Sequence, residues 1–232
     1  MIIKPDNEML SYSGRIDFDD RLAPVLVYAC SSIGMKFTGT SLKAVIANHR
    51  SCWTNELGYF IDGEQKRFTL SPDEEKKTYT LAEGLSEGTH ELLLFKRMDS
   101  CHTFTFYGFE IDDGAKVLPL PEKPKRKMEF FGDSVSCGEV SEAVEYVGKP
   151  DPEHDGEYSN SWYSYAWIAA RKLDAQLHDI AQGGVALLDN TGWYHEPDYI
   201  GMEHVWYKMR YDSLYGQVTE WDFSKYTPDI VI

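Results

Sequence analysis

The sequence predicts a two-part chain. An all-β sandwich of jelly-roll type is expected over residues 1–115, and an α/β unit with a parallel sheet and flanking helices over 128–232. Three observations predict it. Short apolar or alternating runs, broken by Gly, Ser, Asn and Asp, recur through the first half. Residues 116–127 carry three prolines and four lysines. Beyond them the pattern changes to strand, helix, strand.

In the first half, residues 25–30, 35–39, 42–47, 58–62, 66–70, 78–81, 90–96 and 104–111 read as strands. Asp62-Gly63, between two of these runs, is a hairpin turn. Many short strands at this spacing suit a sandwich. Proline cannot donate to a sheet ladder, so 116–127 reads as an extended linker.

In the second half, residues 128–131 form a short apolar strand ending at Gly132, and the polar stretch 141–158 forms a loop. Ser159-Asn160-Ser161 offers a helix cap. Trp162, Ala166, Ala169 and Leu173 then fall at i, i+4, i+7 and i+11, one face of a helix ending near Asp174. Residues 176–181 make a strand and 182–184 the turn after it. Residues 202–211 read as a second helix. Residues 229–232 read as the opening of a buried parallel strand. A strand cut at its fourth residue leaves a raw sheet edge. The α/β unit is therefore expected to be truncated, continuing past Ile232 or completed by another chain.

Charge narrows the partners. Of 232 residues, 23 are Lys or Arg and 38 are Asp or Glu, a net charge of −15. So acidic a chain repels phosphate backbones and anionic lipid, which excludes nucleic acid and membrane surfaces as natural partners. No apolar run reaches membrane-spanning length, and the N-terminus lacks the form of a secretion signal, so a cytoplasmic location is expected. Cys30, Cys52, Cys101 and Cys137 form no C-x-x-C pair and are too sparse for a disulfide scaffold. They read as buried thiols in a reducing compartment, with no metal site.

The sharpest chemical feature is Phe131-Gly132-Asp133-Ser134-Val135-Ser136. A serine directly after a parallel strand sits at the sheet's carboxyl end, where α/β proteins place ligands. Its backbone N–H, at a helix start, can help to hold an oxyanion. Glycine before it permits a tight turn and close approach of substrate.

This stretch resembles the first block of the SGNH (GDSL-type) hydrolases, which have a flavodoxin-like α/β fold. The wider run from Glu129 to Gly138 is similar to carbohydrate esterase family 2, in which a jelly roll precedes an SGNH esterase domain. Residues 159–165, 169–174 and 178–184 extend the likeness, and 227–232 resembles the strand leading to the family's Asn-bearing block. The resemblance implies a serine-dependent O-acetylesterase acting through an acyl-enzyme, with no cofactor. Ser134 then matches the nucleophile and Asp133 a structural brace. Gly184 matches an oxyanion N–H donor, with Gly183 the fallback because a double glycine leaves the register open by one. The family's oxyanion Asn and catalytic His are expected beyond Ile232. None of the seven histidines is assigned as that base and each reads as a loop or packed residue; His195 and His204 alone stay candidates, since loops after a parallel strand can reach the site.

The implied substrates are acetylated xylan or mannan fragments. Trp193, Tyr194 and Trp206 are candidate sugar-contacting rims, since flat rings cover the apolar faces of pyranoses. Trp162 reads as core, and Cys137 as packing. The β half either supports the esterase domain or holds the glycan chain. A non-catalytic carbohydrate-binding protein retaining the fold is the alternative, and an esterase for another acyl group a third reading.

Overall fold

The computed structural model describes residues 1–50, 52–153, 155–194, 199–211 and 217–232. Twelve of its strands lie in residues 2–118: β1 (Ile2–Ile3), β2 (Ser11–Ser13), β3 (Ile16–Asp17), β4 (Val25–Leu26), β5 (Ser32–Thr38), β6 (Leu42–Arg50), β7 (Glu56–Ile61), β8 (Glu64–Thr69), β9 (Lys77–Ala82), β10 (Thr89–Lys96), β11 (His102–Ile111) and β12 (Val117–Leu118). They pair antiparallel into two sheets. One runs β3-β4-β11-β6-β9 with β1 also beside β11; the other runs β12-β5-β10-β7-β8 with β2 also beside β5.

Alternation places one face of each strand inward. Phe37, Leu57, Leu92 and Leu94 from one sheet meet Leu42, Ile46, Phe104, Phe106 and Phe109 from the other in a single buried core. The hairpin falls where expected. Ile61 pairs with Glu64, and Asp62 and Gly63 take φ of 52° and 85°. Two left-handed residues match the right-handed twist of the strands they join.

Two expectations need correction here. The apolar run 25–30 pairs only at β4; Val27, Tyr28, Ala29 and Cys30 are buried instead against the second unit. The connector starts as a strand, because Val117 and Leu118 pair with Phe37 and Lys36. Prolines at 119, 121 and 124 keep the chain out of a ladder only after that point.

The second unit contains β13 (Arg126–Gly132), α1 (Ser134–Cys137), α2 (Tyr165–Lys172), β14 (Ala175–Ala181), α3 (Met202–Val205), β15 (Lys208–Arg210), β16 (Thr219–Glu220) and β17 (Ile230–Val231). β13 lies at the centre of a parallel sheet, with β14 on one side and β17 on the other. β17 is parallel as expected but not buried: Val231 is 60% exposed.

The helix expected from Trp162 is split. Asn160 caps a one-turn 3-10 segment over Ser161–Tyr163, and Ser164 caps again by accepting the Trp167 N–H. The register of α2 follows that second cap. It buries Ala166, Trp167 and Ala170, while Leu173 is exposed. The helix expected over 202–211 stops at Val205, and Lys208–Arg210 pairs with β16.

The two units share a polar, buried boundary. Arg15 of the sandwich meets Glu129 of β13 at 3.0 Å, both side chains nearly inaccessible. Arg97 bonds Glu142 at 2.6 Å, and the Ser161 N–H donates to the Arg97 carbonyl. Charged hydrogen bonds of this kind fix orientation, since any other docking leaves buried charge unpaired. Three cysteines are buried; Cys52 is exposed, against expectation.

Candidate active site

β13 ends at Gly132, and the chain turns at once into α1. Asp133 is its N-cap, accepting the Val135 N–H at 3.0 Å. A capping carboxylate of this kind satisfies one of the N–H groups that the first helical turn leaves open. Gly132 is required by packing: a Cβ there would stand 2.0 Å from Ser136 Oγ. That hydroxyl is held by Tyr165 OH at 2.7 Å.

Ser134 opens α1 and is half-buried. Among the described residues its Oγ has no hydrogen-bond partner. Its backbone N–H, in the first turn of α1, has none within that turn. The side chain is therefore poised at the carboxyl edge of the sheet with its bonding capacity unspent.

The second strand delivers the next piece. Gly132 and Ala181 are register partners, and the Gln182 N–H donates to the Gly132 carbonyl at 3.1 Å. The turn after β14 thus lies beside the serine turn. The Gly183 N–H donates to Asp99 Oδ2 at 3.0 Å. Gly184, at φ 77°, uses its carbonyl to accept from Trp193 and Tyr194, and its N–H meets no acceptor among the described residues. Of the two glycines, Gly184 keeps a donor to offer a ligand and Gly183 does not.

Asp99 was not singled out by sequence. It sits in the sandwich loop between β10 and β11, yet it holds the α/β turn. Besides Gly183 it accepts Gln182 Nε2 at 2.6 Å, and its other oxygen faces His102 Nδ1 at 2.8 Å. Burial opposes its charge, but the bond and charge of His102 outweigh this and hold the carboxyl well below its usual range. Nearby, burial and then the Asp99 charge push Glu139 up to about 8. A Cβ at Gly183 would come 1.9 Å from Glu139 Oε1 and 2.8 Å from Asp99 Oδ2, so any side chain there would have to displace one of these carboxylates. The one available sequence signal for this pair was a short polar run, Asp99-Ser100, between two strands.

The aromatic candidates divide. Trp193 is 91% exposed and packs its Cβ side against Gly184. Tyr194 is a correction: it is buried beside Tyr211, ring centroids 5.9 Å apart, because the loop folds inward one residue after Trp193. Trp206 is half-exposed and packs on Tyr207 and Phe223, while its carbonyl accepts from Arg15. Trp162 packs on Phe60 and Trp167, as a core ring should.

Histidines with described surroundings are engaged elsewhere. His49 contacts Thr105, His90 contacts Asp62, and His102 contacts Asp99. His178 stacks on Tyr226 with centroids 3.5 Å apart, and His204 pairs with Asp189 at 2.6 Å. His154 and His195 lie outside the described residues.

A model of the carbohydrate esterase 2 N-terminal family matches residues 12–121. The chain is 33% identical, over 228 residues, to cellulase/esterase CelE of Acetivibrio thermocellus, covering 98% of this chain and 26% of that protein. It is 26% identical, over 209 residues, to an acetylxylan esterase/glucomannan deacetylase of Cellvibrio japonicus, covering 87% and 56%. A family two carbohydrate esterase from Clostridium thermocellum, solved with cellohexaose, superposes with a TM-score of 0.79 at 31% identity, covering 96% of this chain and 64% of that one. The chain thus spans a quarter to about two thirds of the length of these relatives. With the β sandwich first, the serine corner next and the likeness running through both, the chain carries the carbohydrate esterase 2 N-terminal domain over residues 12–121 and is similar along nearly its whole length to family two carbohydrate esterases.

Proposed function

We propose that this chain supplies the serine nucleophile and two oxyanion donors of a carbohydrate O-acetylesterase. The reading is carried by one observation: Ser134 Oγ and the Gly184 N–H stand at adjoining strand ends with no partner among the described residues. Ser134 attacks the acetyl carbonyl once a base removes its proton. The Ser134 and Gly184 N–H groups hold the oxyanion of the tetrahedral intermediate, and water then releases acetate from the acyl-enzyme. The base (a His) and a third donor (an Asn) are expected from chain following Ile232. The relatives are longer than this chain. We read the sandwich as a jelly roll and the second unit as an SGNH fold extended by that chain.

The substrate class is acetylated xylan or mannan oligosaccharide, in keeping with what the Cellvibrio relative is named for. Trp193 is the sugar platform, since its exposed ring adjoins the oxyanion turn. Small imported oligosaccharides in the cytoplasm are the expected pool. The sandwich contributes through Asp99, a positioning residue that holds the turn carrying Gly184. The full-length protein should release acetate from acetylated xylo- or manno-oligosaccharides. Release that persists in Ser134→Ala overturns the assignment.

A second reading, glycan binding without turnover, is favoured by the cellohexaose held by the Clostridium relative. Binding of cello-oligosaccharide by full-length protein that releases no acetate would select it.

A further inference from the structure

The loop between β6 and β7 brings an exposed cysteine, Cys52, to the buried end of the cluster around Asp99. Its Sγ lies 4.0 Å from Cys101 Sγ and 3.9 Å from His102 Nε2. Cys101 is buried, with its Sγ 3.3 Å from His102 Nδ1, and donates to Asp99 Oδ1 at 3.1 Å. Both nitrogens of His102 are occupied, Nδ1 by Asp99 at 2.8 Å and Nε2 by the Cys52 carbonyl at 2.9 Å. The Trp53 ring stacks over the imidazole.

Cys52, Cys101 and His102 are close enough to one another to enclose a metal ion. The histidine decides against it. A ring that donates from both nitrogens has no lone pair to give a metal. Burial opposes its charge, but the bond to Asp99 prevails and holds it protonated up to about 9. The cluster is therefore two thiols facing an imidazolium. An accessible sulfur beside a cation, with a second sulfur within reach, is the arrangement of an attacking and a resolving cysteine.

We propose that Cys52 and Cys101 form a reversible thiol–disulfide site that reacts with small-molecule disulfides of the glutathione class. Cys52, as thiolate, attacks one sulfur of the oxidant, whose S–S bond breaks and releases one thiolate. Cys101 then gives up its proton and attacks the Cys52 sulfur of the mixed disulfide, releasing the second. Two protein thiols lose two electrons, the oxidant becomes two thiols, and the two protons end on those leaving groups. The sulfurs must close by about 2 Å to reach bonding distance, which the exposed Cys52 side chain can supply. The move draws Cys101 Sγ away from Asp99, the carboxylate that holds Gly183. Insofar as the site is the esterase proposed above, closure disturbs the oxyanion turn.

The test treats the full-length protein with glutathione disulfide, then digests it with trypsin without reduction. The expected product links the peptide of residues 51–66 to that of residues 98–116 and disappears with dithiothreitol. Cys101→Ser should stop at the glutathione adduct on Cys52, and Cys52→Ser should yield neither adduct nor link. Acetate release should fall by roughly 10- to 100-fold on oxidation, as a sub-ångström to ångström misplacement does, and return on reduction. Cys52→Ser should keep its activity through the same treatment. A stable glutathione adduct on the wild type, links to Cys30 or Cys137, or stoichiometric zinc bound by the untreated wild type but not by Cys52→Ser each overturns the proposal. A link that forms without loss of acetate release overturns its connection to Asp99. Should the reduced protein release no acetate at all, the esterase reading fails, while the peptide map still decides the thiol pair.

Discussion

Asp99 of the β sandwich accepts the backbone N–H of Gly183 in the α/β unit at 3.0 Å. The bond crosses the boundary between units and ends one residue short of Gly184. The same carboxylate holds the Gln182 side chain at 2.6 Å, and Gln182 in turn accepts from Ser100 at 2.9 Å. The position of the Gly183-Gly184 turn is thus set from outside its own unit. A charged acceptor makes these bonds shorter and stronger than neutral ones.

Asp99→Asn keeps the shape and removes the charge, leaving an amide N–H facing one of the present donors. Acetate release should fall mainly in kcat, by about 10- to 100-fold, because the turn is misplaced while the exposed Trp193 ring is untouched. Steady-state kinetics on an acetylated oligosaccharide check this. A change confined to KM would assign Asp99 to substrate binding instead.

Ser134→Ala should leave thermal unfolding unchanged, since the hydroxyl bonds nothing among the described residues. Turnover should drop to background, on the order of 10⁶-fold in a comparable serine hydrolase. Calorimetry and an acetate assay on the same preparation check both halves.

Trp193→Ala should raise KM with little effect on kcat. Loss of one aromatic platform costs about 0.5–1.5 kcal/mol, roughly a 2- to 12-fold change. Trp193→Phe should recover most of it. Titration with unacetylated oligosaccharide, followed by tryptophan fluorescence, gives an independent reading.

Gly132→Ala should destabilise by about 1–3 kcal/mol, as forced overpacking does, because the new methyl meets Ser136 Oγ at 2.0 Å. Combining it with Ser136→Gly should return part of the loss. Denaturant midpoints of the single and double variants measure the coupling.

Glu139 titrates at about 8 in the folded protein, against 4.5 for an ordinary glutamate, first through burial and then through the Asp99 charge. A carboxyl with a raised folded pKa contributes stability in full below pH 4.5. That contribution is lost as pH climbs through about 8, where the native state must carry the charge. Glu139→Gln removes this dependence. Its melting temperature relative to the wild type should therefore rise between pH 5 and pH 8; a constant offset would place Glu139 in solvent.

Much of the fold was legible because it depends on short-range rules. The Asp62-Gly63 hairpin needs only two residues that tolerate positive φ between alternating runs. The turn at Gly132 to Ser134 needs a glycine, a capping aspartate and a strand before them, all consecutive. The order of sandwich, linker and parallel strands follows from pleated periodicity giving way to a helical one, and the two six-stranded sheets agree with it. Errors arose where a local signal was ambiguous by one step. The cap expected within Ser159-Asn160-Ser161 starts only a 3-10 turn, and α2 starts from Ser164 instead, which turns the buried face from Leu173 to Trp167.

By itself, then, the amino-acid order determined the strands, their turns and the serine at the strand's end, since backbone preference and side-chain periodicity act over a few positions. Tertiary structure alone decided which of two adjacent glycines keeps its N–H, which of two adjacent aromatics faces solvent, and that an exposed cysteine meets a buried one. The first of these rests on a carboxylate 84 positions away in the chain. Such outcomes depend on which distant groups satisfy a buried donor or fill a cavity, and that is set only when the two units close on each other.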